Sequence, residues 1–128
     1  MMVDPYNSQV RELFADTRHA GPLADAVRVT NDAQGVAMEL LATAQAGRVK
    51  ALRYRVRGCP HSIAACEAIC RELEGEAVSS LEKFSVMQLM QSLAVPAAKS
   101  GRILALEDTV RRLELALREA QTSAEQDI

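Results

Sequence analysis

The sequence has no tryptophan, two tyrosines and two phenylalanines, an aromatic content of 3%. So thin a supply of π faces excludes a base-stacking nucleic-acid surface and an aromatic cage for a cationic ligand. An excess of charge of one sign is also missing: 15 basic residues face 17 acidic ones, for a net charge of −2. No global positive field is left to draw the chain onto nucleic acid. No apolar run approaches the ~18 residues of a membrane-spanning helix, so no membrane partner is expected. The opening Met1-Met2-Val3-Asp4-Pro5-Tyr6 has neither the basic start nor the apolar stretch of a secretory signal. Cysteine is sparse and odd in number, three residues at 59, 66 and 70. A secreted disulfide scaffold wants an even count spread along the chain, so a reducing, cytoplasmic setting is expected. A Gly-rich phosphate loop, a nucleophile elbow and a metalloprotease motif are absent. No acid, base and nucleophile group together, and the chain is not expected to be an enzyme.

What is present is ordinary for a globular domain. Of 128 residues, 48% are hydrophobic and 25% charged. That suffices for one core without disulfides or a structural metal. Tyr6, Val10, Leu13 and Phe14 recur at helical spacing before the Gly21-Pro22 breaker. Strands are expected over 24–30, 36–44 and 48–57, with 31–35 as a turn and Gln45-Ala46-Gly47 as a hairpin connection. Leu52, Tyr54 and Val56 alternate with Arg53, Arg55 and Arg57, one buried face against one wet basic face. After Gly58-Cys59-Pro60 the period becomes helical. Ile63, Cys66, Ile69, Cys70 and Leu73 form a stripe that Gly75 ends. Ser85 is a candidate cap for a short helix. Pro96 then interrupts, and a long helix is expected from about Lys99 to Glu119, with Ile103, Leu106, Val110, Leu113 and Leu117 on one side. The order predicts an α+β domain over residues 1–120. A small three-stranded antiparallel sheet carries an N-terminal helix and C-terminal helices on one face, and 121–128 form a polar tail.

Cys59 is the residue with the most chemistry. It ends a strand and starts a helix, where backbone N–H groups and the helix dipole favour a thiolate. Such a thiol can attack sulfur, carry a persulfide or bind a soft metal; a small, half-buried cap residue fits the same place. Cys66 and Cys70 point within about 20° of Cys59 at roughly 100° per residue, which resembles a ligand row. They share their stripe with Ile63, Ile69 and Leu73, however. Cys66 also lies about 10 Å along the axis from Cys59, too far for one metal, so both read as core. His61 could tune the neighbouring thiol or ligate a metal, and His19 lies in a loop. With no matching cysteine or carboxylate spacing, both histidines read as exposed polar residues. Glu107, Asp108, Arg111, Arg112, Glu114 and Arg118 read as an exposed helix face.

In order and spacing these features resemble the U-type iron–sulfur cluster assembly scaffold family, with the NifU/IscU/SufU-like fold. The resemblance rests on three segments. Tyr6…Val10…Phe14-Ala15-Asp16-Thr17-Arg18-His19-Ala20-Gly21 is similar to the family's Tyr…Val…Tyr-x-Asn-Pro-Arg-Asn-x-Gly. Gly58-Cys59 followed by Ser62-Ile63-Ala64-Ala65 is similar to its Gly-Cys-x-x-(Ala/Ser)-Ile-Ala-Ser. Pro96 to Lys99, with the helix carrying Leu104 and Glu107-Asp108, resembles its C-terminal helix.

The resemblance implies a site where three cysteines and an aspartate hold a nascent [2Fe–2S] cluster or a metal. The family's Cys-Gly-Asp turn falls on Gln34-Gly35-Val36, and its last cysteine on Arg102, or on Gly101 with a one-residue slip. Only Cys59 matches. Gln34, Val36 and Arg102 cannot replace thiolate or carboxylate ligands. Arg102 would instead oppose a metal and stabilise a Cys59 thiolate or persulfide. The resemblance therefore implies a scaffold-like accessory protein acting by contact with a cysteine desulfurase or another iron–sulfur assembly protein. No cofactor is expected to bind stably; a cluster or zinc would need ligands from elsewhere, such as a dimer sharing Cys59. The alternative is a regulatory or structural module that keeps the fold without metal or sulfur chemistry.

Overall fold

The computed structural model describes residues 6–33 and 35–126, without the side chains of Ala33 and of 122–126. Its elements are α1 (Ser8–Ala15), β1 (Val27–Ala33), β2 (Val36–Gln45), β3 (Arg48–Arg57), α2 (Pro60–Leu73), α3 (Met87–Ser92) and α4 (Ser100–Gln126). Short 3-10 turns cover Val78–Leu81 and Ala97–Lys99. The strands form an antiparallel meander in the order β1-β2-β3. Helix α4 packs against β1 and β2, α2 against β3, and α1 against α2. This is the α+β arrangement the sequence predicts. Among the described residues no helix is long and apolar enough to cross a membrane.

Registers show which side chains meet. Val29, Leu40 and Tyr54 lie side by side across the sheet, as do Val27, Ala42 and Leu52. Ile69, Leu106, Val110 and Leu113 complete the core. The alternation on β3 carries one irregularity. Thr43 pairs with Ala51 and Ala44 with Val49, so Lys50 bulges out and Val49 and Leu52 both turn inward. Strand β1 starts later than the sequence predicts and runs through Asn31-Asp32, the pair assigned to the turn. Asp25 holds a left-handed backbone at φ 58°, which delays the start. Asn31 then belongs on the inner face because its amide is satisfied there. Nδ2 donates to the Ala105 carbonyl at 3.2 Å and the Thr109 hydroxyl at 3.0 Å.

Several other expectations change. Phe14 is 48% exposed, because α1 buries only Val10 and Leu13. Ile63 is only partly buried, at the open end of α2. Helix α3 begins at Met87 with Val86 at its cap; the Ser85 hydroxyl accepts from the Met87 N–H at 3.3 Å. Helix α4 continues past Glu119 through Gln126, since Ala120-Gln121-Thr122-Ser123 holds no glycine or proline to stop it. Glu114 is buried rather than on an open face, paired with Arg118 one turn on.

The free edge of β3 is covered along most of its length. Tyr54 exchanges bonds with the loop before the sheet: its N–H donates to the His19 carbonyl and its carbonyl accepts from Gly21 N–H, both at 3.0 Å. Val49 does the same with Gly75 and Glu76 at 2.8 Å. Between them the Leu52 N–H donates to a carboxylate oxygen of Glu74 at 2.8 Å. An edge satisfied in this way offers little template for a foreign strand.

One fully buried carboxylate joins these pieces. Glu67 Oε1 accepts from the His19 backbone N–H at 2.9 Å and from the Tyr54 hydroxyl at 3.3 Å. Its Oε2 lies 2.6 Å from His19 Nδ1 and 2.8 Å from Arg71 Nε. His19 is buried, contrary to the sequence expectation, because its ring sits between Glu67 and Glu74, with Nε2 3.3 Å from the latter. Glu74 also accepts from Arg53 at 2.7 Å, so the basic strip on β3 is not wholly solvated: Arg55 and Arg57 are exposed and Arg53 is tied down. Burial pushes the Glu67 carboxyl up, but the His19 amide and ring and Arg71 outweigh it, and the net shift is downward.

Removing this carboxylate leaves its donors buried without an acceptor. Glu67→Ala is expected to cost about 3 kcal/mol in chemical denaturation. A carboxyl held low stabilises the fold above its unfolded value, about 4.3, and loses that contribution as pH falls through the lower folded value. The stability gap between wild type and Glu67→Gln should therefore be full at neutral pH and shrink below about pH 4. A gap that is unchanged or wider in acid would contradict this role.

Candidate functional site

The site lies at the junction of β3 and α2, where the extended chain must turn into a helix. Pro60 occupies the first helical turn, where its missing N–H costs nothing. Gly58 permits a close approach. A Cβ there would lie 3.1 and 3.2 Å from the two Val36 methyls and 3.3 Å from the Ser62 Cβ. The start of β2 is thereby brought against the start of α2. Cys59 is the N-cap of α2, half-buried, with φ −78° and ψ 166°.

The thiol has polar neighbours on several sides. Its Sγ lies 3.5 Å from the Ser62 hydroxyl. Burial pushes the thiol up, but the hydroxyl and amide of Ser62, the Lys99 ammonium and a hydrogen bond from Arg102 together hold it below its ordinary value. Arg102 is thus among the groups that act on the thiol. Val36 is buried close by as an apolar wall. Gln34 lies outside the described residues.

His61 departs from expectation. It is fully buried, not exposed, with its ring 4.8 Å from that of Tyr6 and its Nδ1 3.3 Å from Lys99 Nζ. An ammonium can only donate, so Nδ1 accepts and the ring proton sits on Nε2. Burial first, and Lys99 second, lower the imidazole pKa and keep the ring neutral. Any influence of His61 on the thiol runs through Lys99.

Cys66 and Cys70 are core residues, as their stripe predicts. Burial pushes Cys66 up to about 12 and Cys70 further still. Of the positions that the resemblance aligns with the family's ligands, Val36 and Arg102 carry an aliphatic side chain and a guanidinium. Neither donates to iron, so these residues do not fit a [2Fe–2S] cluster. Among the described residues no three His, Cys, Asp or Glu side chains are placed to hold a metal ion. The Glu67 network was missed from sequence. Its signal was a carboxylate on the apolar stripe of α2, one turn from Ile63 and beside Cys66.

Iodoacetamide at neutral pH should modify Cys59 alone in the folded protein and all three cysteines in denaturant, as read by intact mass. Ser62→Ala should slow the Cys59 reaction, because it removes a hydrogen bond to the thiolate. Modification of folded Cys66 or Cys70 at a comparable rate would contradict the assignment.

Two solved structures share this architecture. The N-terminal part of a nitrogen-fixing NifU-like protein from Brucella abortus aligns with TM-score 0.67 and 16% identity, over 88% of this chain and 94% of that one. A structure described as an iron–sulfur cluster assembly scaffold protein for the SUF system, from Fervidobacterium islandicum, aligns with TM-score 0.55 and 12% identity, over 88% of each chain. At such identities the likeness is one of fold. None of the curated proteins matches the sequence. The family described as the NifU-like N terminal domain matches residues 5–116, which include every element from α1 to α3 and the buried stripe of α4 as far as Leu113. The chain belongs to that family.

Proposed function

We propose that this protein serves iron–sulfur cluster assembly as a scaffold-like accessory, not an enzyme. It works by contact with a cysteine desulfurase or another assembly protein and accepts sulfur on Cys59. The observation that carries this reading is the thiol's setting. Cys59 caps α2, Arg102 is among the groups that lower its thiol, and Val36 packs against the neighbouring Gly58; the resemblance aligns Arg102 and Val36 with ligands. A cation there disfavours iron and favours an anionic sulfur. The structural relative from Fervidobacterium is described as an assembly scaffold, which supports the same setting.

The chemistry is a transfer of sulfane sulfur. The Cys59 thiolate attacks the outer sulfur of a donor cysteine persulfide. A new S–S bond forms at Cys59, the donor's S–S bond breaks, and the donor leaves as a thiolate. No external oxidant or reductant is consumed. Ser62, Lys99 and Arg102 hold the attacking anion before transfer and the persulfide anion after it. We propose further that the protein binds no complete cluster by itself.

Anaerobic incubation with a cysteine desulfurase and radiolabelled cysteine should place thiol-releasable label on wild type and none on Cys59→Ser. Equal labelling of the two proteins, or none on wild type, would sink the sulfur-transfer reading. If partner binding survived in both, the fold would be serving as a regulatory or structural module.

A further inference from the structure

Three segments distant in sequence meet at the first turn of α2. Tyr6, just ahead of α1, lays its ring on His61 with the planes tilted by 54°. Lys99, at the end of the turn before α4, places Nζ 3.3 Å from His61 Nδ1 and 5.5 Å from the Tyr6 ring centroid. Asn7 secures the same segment: Nδ2 donates to the Ser92 carbonyl and Oδ1 accepts from the Val10 N–H, both at 2.9 Å. The contacts are specific in kind. The imidazole offers the ammonium its one lone pair, and the ring offers it a π face within the ~6 Å over which a cation is attracted. A free lysine side chain has several rotatable bonds and would spread its charge over many positions. Here two aromatic groups confine it at the first turn of α2, the helix that Cys59 caps.

We propose that Tyr6 and His61 are positioning residues that seat the Lys99 ammonium at the first turn of α2, which Cys59 caps, so that Tyr6 sets the reactivity of the thiol. The inference rests on Cys59 being the working thiol, but not on what that thiol receives. It makes the start of the chain a control element. Whatever draws Tyr6 off His61 leaves Lys99 held by the imidazole alone and loosens its charge. Tyr6 acts on the thiol through the lysine.

A double-mutant cycle on the full chain tests this, read as the rate of Cys59 alkylation by iodoacetamide across pH. Tyr6→Leu keeps apolar bulk and removes the π face; it should slow the reaction about threefold at pH 7. Lys99→Met should slow it at least as much. The double variant should react no more slowly than Lys99→Met alone, because Tyr6 has no lysine left to seat. Tyr6→Phe should restore the wild-type rate, since both contacts need only the ring. Tyr6→Gln is a second ring-free variant should Tyr6→Leu fail to fold. A ring-free substitution without effect, or one whose effect persists in full beside Lys99→Met, would overturn the proposal. The readout needs no persulfide. Failure of sulfur transfer with an intact cycle would sink the function and leave the positioning; an additive cycle with transfer intact would do the reverse.

Discussion

Glu67 is a fully buried carboxylate, and such a group is tolerated only when its oxygens are satisfied. Its partners come from three places: the loop after α1, the edge strand β3, and the next turn of α2. Satisfying one side chain therefore fixes the angle of α2 against the sheet. The start of α2 holds Cys59, so the thiol's position is set by a charge network on the same helix, two turns away. A second carboxylate, Glu74, repeats the device at the far end of the helix, bonding the Leu52 backbone and Arg53. The edge of β3 is closed by these polar contacts instead of by another strand.

Within that frame the site is built from opposite preferences. Gly58 lets Val36 crowd the junction, and Arg102 is among the groups that lower the thiol; the resemblance aligns these two residues with an aspartate and a cysteine. Low polarity and positive charge both work against a metal. The same positive charge, with Ser62 and the start of a helix, suits a single sulfur anion. On the proposed reading, the chain keeps the architecture that presents a thiol without the groups that would let the thiol share a metal.

The fold was largely legible because its periods are clean. The heptad-like spacing of α4 buries every residue it predicts, the α2 stripe all but Ile63 and the β3 alternation all but Val56. What misled were polar residues with buried partners far away in sequence. Asn31 looks like a turn former until Ala105 and Thr109 are opposite it. His19 and His61 look exposed because nothing near them in sequence satisfies an imidazole; Glu67, Glu74 and Lys99 do so across the fold. Cys59 and Arg102 could be paired only through the family resemblance, since the residues between them give no local sign of contact. The Lys99 seat could not be read at all, because it joins three segments with no shared pattern.

The central claim is that this fold presents one thiol in a setting that favours a sulfur anion over iron. The most direct measurement is iron and acid-labile sulfide content after anaerobic purification and reconstitution, with absorbance read beside Cys59→Ser. The account predicts no stoichiometric iron or sulfide and no Cys59-dependent charge-transfer band. A cluster bound in stoichiometric amount and lost in Cys59→Ser would contradict it.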